Sequence, residues 1–78
     1  PQSARDLTLE RFKLSRFKKS GEKLTTKQMS RLRELDHWYN RTYMPYTRNI
    51  RSAEKRKNVE QMERWRKELG RRSEKIAE

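Results

Sequence analysis

Hydrophobic positions along the chain recur at helical spacing, and no stretch of useful length shows the strict alternation of a strand. Over residues 3–19, Leu7, Leu9, Phe12, Leu14 and Phe17 stand among Arg11, Lys13, Arg16, Lys18 and Lys19, which predicts a basic helix. At about 100° per residue, Leu7, Leu14 and Phe17 point one way and Leu9 and Phe12 another, so its apolar residues form no single stripe. Ser3 and Asp6 suit the N-terminus of this helix, and Ser20 with Gly21 is expected to end it. A second start is marked by Thr25 and Gln28, which have capping-box spacing, with Leu24 placed to staple onto Met29. Met29, Leu32, Leu35, Tyr39 and Tyr43 then share one face, expected to be a packing face, while Lys27, Arg31, Arg33 and Arg41 lie off it. Pro45 biases Met44 away from helical geometry, so this second helix is expected to stop near Tyr43.

A third helical stretch begins close to Pro45. Tyr46, Ile50 and Ala53 share one face, whereas Met62, Trp65, Leu69 and Ile76 share another about a third of a turn round. The helix therefore either breaks near Asn58, where Asn58 and Gln61 can cap a fresh start, or faces two partners. Glu60 with Arg64, Glu63 with Lys67 and Glu68 with Arg72 are favourably ordered i,i+4 pairs of a solvated helix. Gly70 is expected as its C-terminal cap, leaving residues 71–78 as a frayed tail. The pattern divides one small domain into residues 1–23, 24–45 and 46–78. It implies an elongated all-α fold of two to three helices with a small core.

Composition sharpens that picture. Only 29% of the 78 residues are hydrophobic and 42% are charged, so little apolar surface is available to offset chain entropy, and folding on binding is open. The 22 Lys and Arg against 11 Asp and Glu leave a net charge of +11, which concentrates polyanions and drives counterion release on contact with phosphates. Nucleic acid is the first partner this suggests. Arg outnumbers Lys, and a guanidinium forks onto phosphate and stacks on bases, which favours RNA. The chain has no cysteine, which excludes disulfides and thiolate chemistry. It has no apolar run near the roughly 18 residues of a membrane span and no signal-peptide pattern, so a non-secreted, non-membrane chain is expected.

Candidate chemistry is sparse. His37 is the single histidine; Asp36 beside it points in a different direction on a helix, and Arg41 occupies the i+4 position where a second ligand would sit. Glu34 with Asp36, and Glu60, Glu63 and Glu68, each have a basic residue within reach and suit ion pairing. Gly21 and Gly70 form no phosphate loop. No enzyme activity, cofactor, metal or small-molecule substrate is expected. What remains are basic clusters interleaved with aromatics, and the candidate RNA contacts are Arg16, Lys18, Lys19, Lys23, Arg31, Arg33, Arg41, Arg48, Arg51, Lys55, Arg56 and Lys57. Phe12, Phe17, Tyr39 and Trp65 are weighed as core residues, and Trp38 as the exposed stacking residue.

The segment Leu14-Ser15-Arg16-Phe17-Lys18-Lys19-Ser20-Gly21-Glu22-Lys23 resembles the signature of the bacterial small-subunit ribosomal protein twenty-one family. Arg31-Leu32-Arg33-Glu34-Leu35 and Trp38-Tyr39-Asn40-Arg41 are similar to that family's basic helix ending in an aromatic pair, over about half of the chain. Two features depart from it: the spacing from Lys23 to the aromatic pair is a few residues longer, and Thr42 stands where the family usually has proline. The resemblance implies an elongated helical protein on ribosomal RNA, beside neighbouring ribosomal proteins, in a cytoplasmic or mitochondrial ribosome. It also implies Arg16, Lys18, Lys19 and Lys23 on phosphates and Phe17 packed within the motif. The alternative is a small basic regulator or inhibitor that binds an acidic protein surface of a nucleic-acid enzyme, with Met62, Trp65, Leu69 and Ile76 as anchors. A DNA binder is weakened by the absence of a helix-turn-helix turn within the Thr25 helix.

Overall fold

The computed structural model describes residues 2–77, all of whose regular structure is helical. Helix α1 spans Ala4–Lys19. Its start is a capping box in which Ser3 Oγ accepts from the Asp6 N–H at 3.2 Å and the Asp6 carboxylate accepts from the Ser3 N–H at 3.3 Å. It ends where the Ser20 N–H donates to the Arg16 carbonyl and Gly21 takes φ +89°, a left-handed conformation that glycine adopts without steric cost. Helix α2, Thr26–Trp38, starts on the Thr25 and Gln28 capping box, closed at 3.1 and 2.9 Å. Each box satisfies two otherwise orphaned N–H groups, and losing its cap costs about 1 kcal/mol.

Pro45 does not stop this helix. A π-helical turn, Tyr39–Tyr43, leads directly into α3, Met44–Lys55, so the expected end near Tyr43 is corrected to a continuous rod over residues 26–55. The Met44 N–H reaches back five residues to the Tyr39 carbonyl. That wider turn accommodates the proline ring, which in a regular α-helix clashes with the carbonyl four residues earlier and costs about 3 kcal/mol. The Thr47 hydroxyl donates to the Tyr43 carbonyl at 2.8 Å. Tyr39 and Tyr43 stack at 5.2 Å and Trp38 and Tyr43 meet at 5.4 Å, pairs worth roughly 0.5–1.5 kcal/mol each, so side chains on the turn offset much of the proline's cost.

Beyond α3 the chain reverses at residues 56–58. The Asn58 N–H donates to the Ala53 carbonyl and the Lys57 N–H to the Glu54 carbonyl, a helix ending that normally carries glycine at its left-handed position. Here Lys57 occupies it, with φ 56°. Asn58 Oδ1 then accepts from the Gln61 N–H at 3.1 Å and starts α4, Val59–Ala77, so of the two alternatives the helix breaks at Asn58. Gly70 does not cap α4; the helix runs through it to Ala77, and the expected frayed tail is helical over residues 71–77, with Glu78 outside the described residues. The cause is tertiary: Leu69 and Ser73 are buried, Ile76 packs on the core, and Arg31 Nη1 donates to the Ile76 carbonyl at 2.7 Å.

Leu7, Leu35 and Trp38 form the core, ringed by Ala4, Leu14, Tyr39, Tyr43 and Ile76 from all the helical elements but α3. Burying a leucine side chain contributes about 1.5–3 kcal/mol, so this small cluster holds α1 and α4 against the rod. Ala53 is buried in α3, and the Tyr46 ring meets the edge of Trp65 at 5.1 Å between α3 and α4. Met29, expected on the packing face, is exposed instead, because it precedes the stretch of α2 that α4 covers. The molecule measures 45 × 23 × 16 Å, and a rod of residues 26–55 accounts for the long axis at about 1.5 Å per residue. Its radius of gyration is 14.3 Å, above the roughly 11–12 Å of a compact chain of this size. Among the described residues no helix is long and apolar enough to cross a membrane.

Candidate nucleic-acid interface

Helix α1 lies antiparallel to α2, which carries its C-terminal turn to the Thr26 end of the rod. Arg16, Lys18, Lys19 and Lys23 are all exposed there, with no carboxylate between Glu10 and Glu22 in sequence and no ion pair among the described residues. Phe12, 56% exposed, lines a shallow concavity of about 380 Å³ with Arg11, Ser15, Arg16 and Lys19. Phe17 is 44% exposed. Both phenylalanines were expected in the core, and both are corrected to surface residues. Leu14 already borders Thr25 and Gln28 at the start of α2, so Phe17, almost a turn further, has no helix beneath it. Phe12 sits on the second side of the two-sided apolar pattern, the side that no element covers.

The second group of candidates lies towards the other end of the rod. Arg48, Arg51, Lys55, Arg56 and Lys57 are exposed, with Glu54 the one acid among residues 46–58. Arg48 and Arg51 line a groove of about 470 Å³ with Tyr39, Tyr43, Met44, Thr47, Ile50 and Glu54. Arg56 Nη2 donates to Gln61 Oε1 at 3.1 Å, and Lys57 projects from the strained turn. Arg33 and Arg41 are exposed on the rod between the two groups.

Arg31 belongs to neither group. Its five N–H donors are all taken: Nε and Nη2 by the two Glu10 oxygens at 2.7 and 3.1 Å, Nη1 by Glu34 at 2.6 Å and the Ile76 carbonyl, and Nη2 also by Gln2 at 3.2 Å. A guanidinium so saturated fastens α1, α2 and α4 together and has no donor left for phosphate. Its hydrogen bonds and charge hold the Glu10 carboxyl below the usual range against the opposing effect of burial. Arg11 is likewise committed, to Asp36 at 2.7 Å and to the face of the Tyr39 ring at 3.9 Å. The sequence pattern marked Glu34 and Asp36 for ion pairing but not the bonds of Arg31 to Glu10 and of Arg11 to Asp36, because these join residues more than twenty positions apart.

Trp38 is not the exposed stacking residue expected. It is 2% exposed, and its Nε1–H donates to Ser73 Oγ at 3.2 Å while that hydroxyl donates to the Leu69 carbonyl at 2.6 Å. Of the row Met62, Trp65, Leu69 and Ile76, expected to anchor a protein partner, three turn inward: Leu69 is buried, Trp65 packs on Tyr46 and Ile76 on the core, while Met62 is half-buried. On the outer face of α4, Glu68 binds Arg71 at 2.6 Å and Arg72 at 2.9 Å, and these bonds lower its carboxyl to about 2. Of the three expected i,i+4 pairs, Glu68 with Arg72 is the one within 4 Å among the described residues. His37 is exposed on α2, and no cluster of His, Asp or Glu able to hold a metal occurs among the described residues.

No protein-family model, no curated protein and no solved structure matches this chain.

Proposed function

We propose that the chain is a structural RNA-binding protein of a ribonucleoprotein, holding RNA through phosphate contacts without chemistry on it. The observation that carries this reading is the division of its charges. Glu10, Glu34, Asp36 and Glu68 pair with Arg11, Arg31, Arg71 and Arg72, whereas every other Lys and Arg is exposed and outside any ion pair among the described residues. Cations left free in this way release condensed counterions when they meet phosphates. Exposed Phe12 and Phe17 beside Arg16 and Lys19 supply flat apolar faces for unpaired bases, a feature suited to RNA loops more than to duplex DNA.

The narrower reading, ribosomal RNA of the small subunit with neighbouring ribosomal proteins, rests on the resemblance of residues 14–23. Purification of the tagged protein from its own cells at low and high salt tests it. Small-subunit RNA and proteins that accompany it at low salt and leave at high salt are the expected result. One salt-resistant protein partner and no RNA would overturn it.

A further inference from the structure

Resting on the RNA-binding reading, we infer that this protein bridges two separate RNA segments, one at each end of its long axis. The antiparallel packing of α1 on α2 puts Arg16, Lys18, Lys19 and Lys23 beside Thr26, where the rod begins, and the α3–α4 turn puts Lys55, Arg56 and Lys57 where it ends. Residues 1–23 and residues 46–58 each carry a net charge of +4, whereas residues 59–78, with six cations and five acids, carry +1. Residues 24–45, between them, carry +2; Arg11 and Arg31 are neutralised by Asp36, Glu10 and Glu34, and Arg33 and Arg41 stand apart as single exposed cations.

The long axis is 45 Å, against a screening length of about 8 Å at physiological ionic strength. Two polyanions held at the two ends therefore do not repel each other appreciably, and filling one end leaves the field at the other intact. The spacer between them is stiff, because the rod passes Pro45 without a break and α4 braces it from Tyr46 to the core. A stiff spacer fixes the separation of two bound segments and makes the second attachment effectively intramolecular when both belong to one RNA.

Lys57 adds an independent sign. Its backbone holds the left-handed conformation, φ 56°, that a non-glycine side chain disfavours, and its presence there gives the turn a third consecutive cation.

The test uses two single-stranded RNAs of about six nucleotides, the size of a small single-strand site, one carrying a donor dye and the other an acceptor. With the native chain, two RNAs per protein and sensitised acceptor emission are expected. That emission should rise and then fall as protein is added in excess, because surplus protein separates the pair. Lys18→Glu with Lys19→Glu, and Lys55→Glu with Arg56→Glu, should each reduce the stoichiometry to one and abolish transfer. All four side chains are exposed, and Lys57→Gly, which relieves the turn, serves as a second variant at that end and should weaken binding there alone. One RNA per native chain without transfer overturns bridging and leaves RNA binding standing. Transfer that survives both double variants, or that grows steadily with protein, also overturns it by pointing to self-association. No binding of either RNA overturns the RNA-binding reading as well.

Discussion

Helices α3 and α4 are the two arms of one hairpin, joined at Asn58 and packed through Tyr46 and Trp65, yet they divide their work. Residues 46–58 set five cations against the single acid Glu54. On α4, Glu60, Glu63, Glu68 and Glu74 nearly balance Arg64, Arg66, Lys67, Arg71, Arg72 and Lys75, and the apolar row of that helix reaches the core that α3 does not touch. One arm braces the fold and sets acids among its cations; the other is held out with five cations and a single acid. In a chain this short, RNA-binding and structural charges are separated by which carboxylates stand nearby, since cations are abundant on both arms.

The largest expected effect breaks the brace. Trp38→Ala removes the side chain on which α1, α2 and α4 meet and the hydrogen bond that the Ser73 hydroxyl accepts, which should cost about 3–5 kcal/mol, read as a fall in the urea midpoint. Charge reversal then separates the arms directly. Lys55→Glu with Arg56→Glu on the α3 side should lower RNA affinity on the order of tenfold and reduce the salt slope by about 1.4, two single-strand contacts, whereas Arg64→Glu with Lys67→Glu on α4 should leave the slope within about half a contact of the native value. Equal losses from the two pairs would mean that the arms are not distinguished.

A smaller effect sharpens the comparison at the joint. Lys57→Gly should stabilise the fold by about 1 kcal/mol, seen in thermal unfolding, while weakening RNA binding, so stability and binding should move in opposite directions. The smallest concerns Glu68. Its folded carboxyl lies near 2, below its ordinary 4.5, so its contribution is fully present above about pH 4.5 and disappears as the pH falls towards 2. The stability difference between the native chain and Glu68→Gln should be constant above that range and shrink through it, and should be slight throughout because these side chains meet solvent and salt.

Local features of the fold were legible in the sequence and distant ones were not. The boxes at Ser3 and Thr25 and the cap at Asn58 were all readable, because each is a contact between residues three apart. Pro45 and Gly70 read as helix ends on local grounds, yet the rod and α4 run through them. The aromatic pairs on the π turn and the pull of Leu69, Ser73 and Ile76 on the core outweigh those local preferences. Trp38 and Phe12 exchanged their expected places for a related reason: with α1 and α4 both packed on the rod near Trp38, that side is covered, and nothing covers the outer side of α1. Arg31 looked like a candidate phosphate contact because its acceptors come from Gln2, Glu10, Glu34 and Ile76, which only the fold assembles.

The salt dependence of RNA affinity tests the central claim most directly, measured with one fluorescent single-stranded RNA on the native chain and on Lys18→Glu with Lys19→Glu. Free cations at the α1 end predict a log-log slope that steepens by about 0.7 for every phosphate neutralised, and a shallower slope and weaker binding in the double variant. Affinity that is insensitive to salt, or identical in the two proteins, would contradict the account.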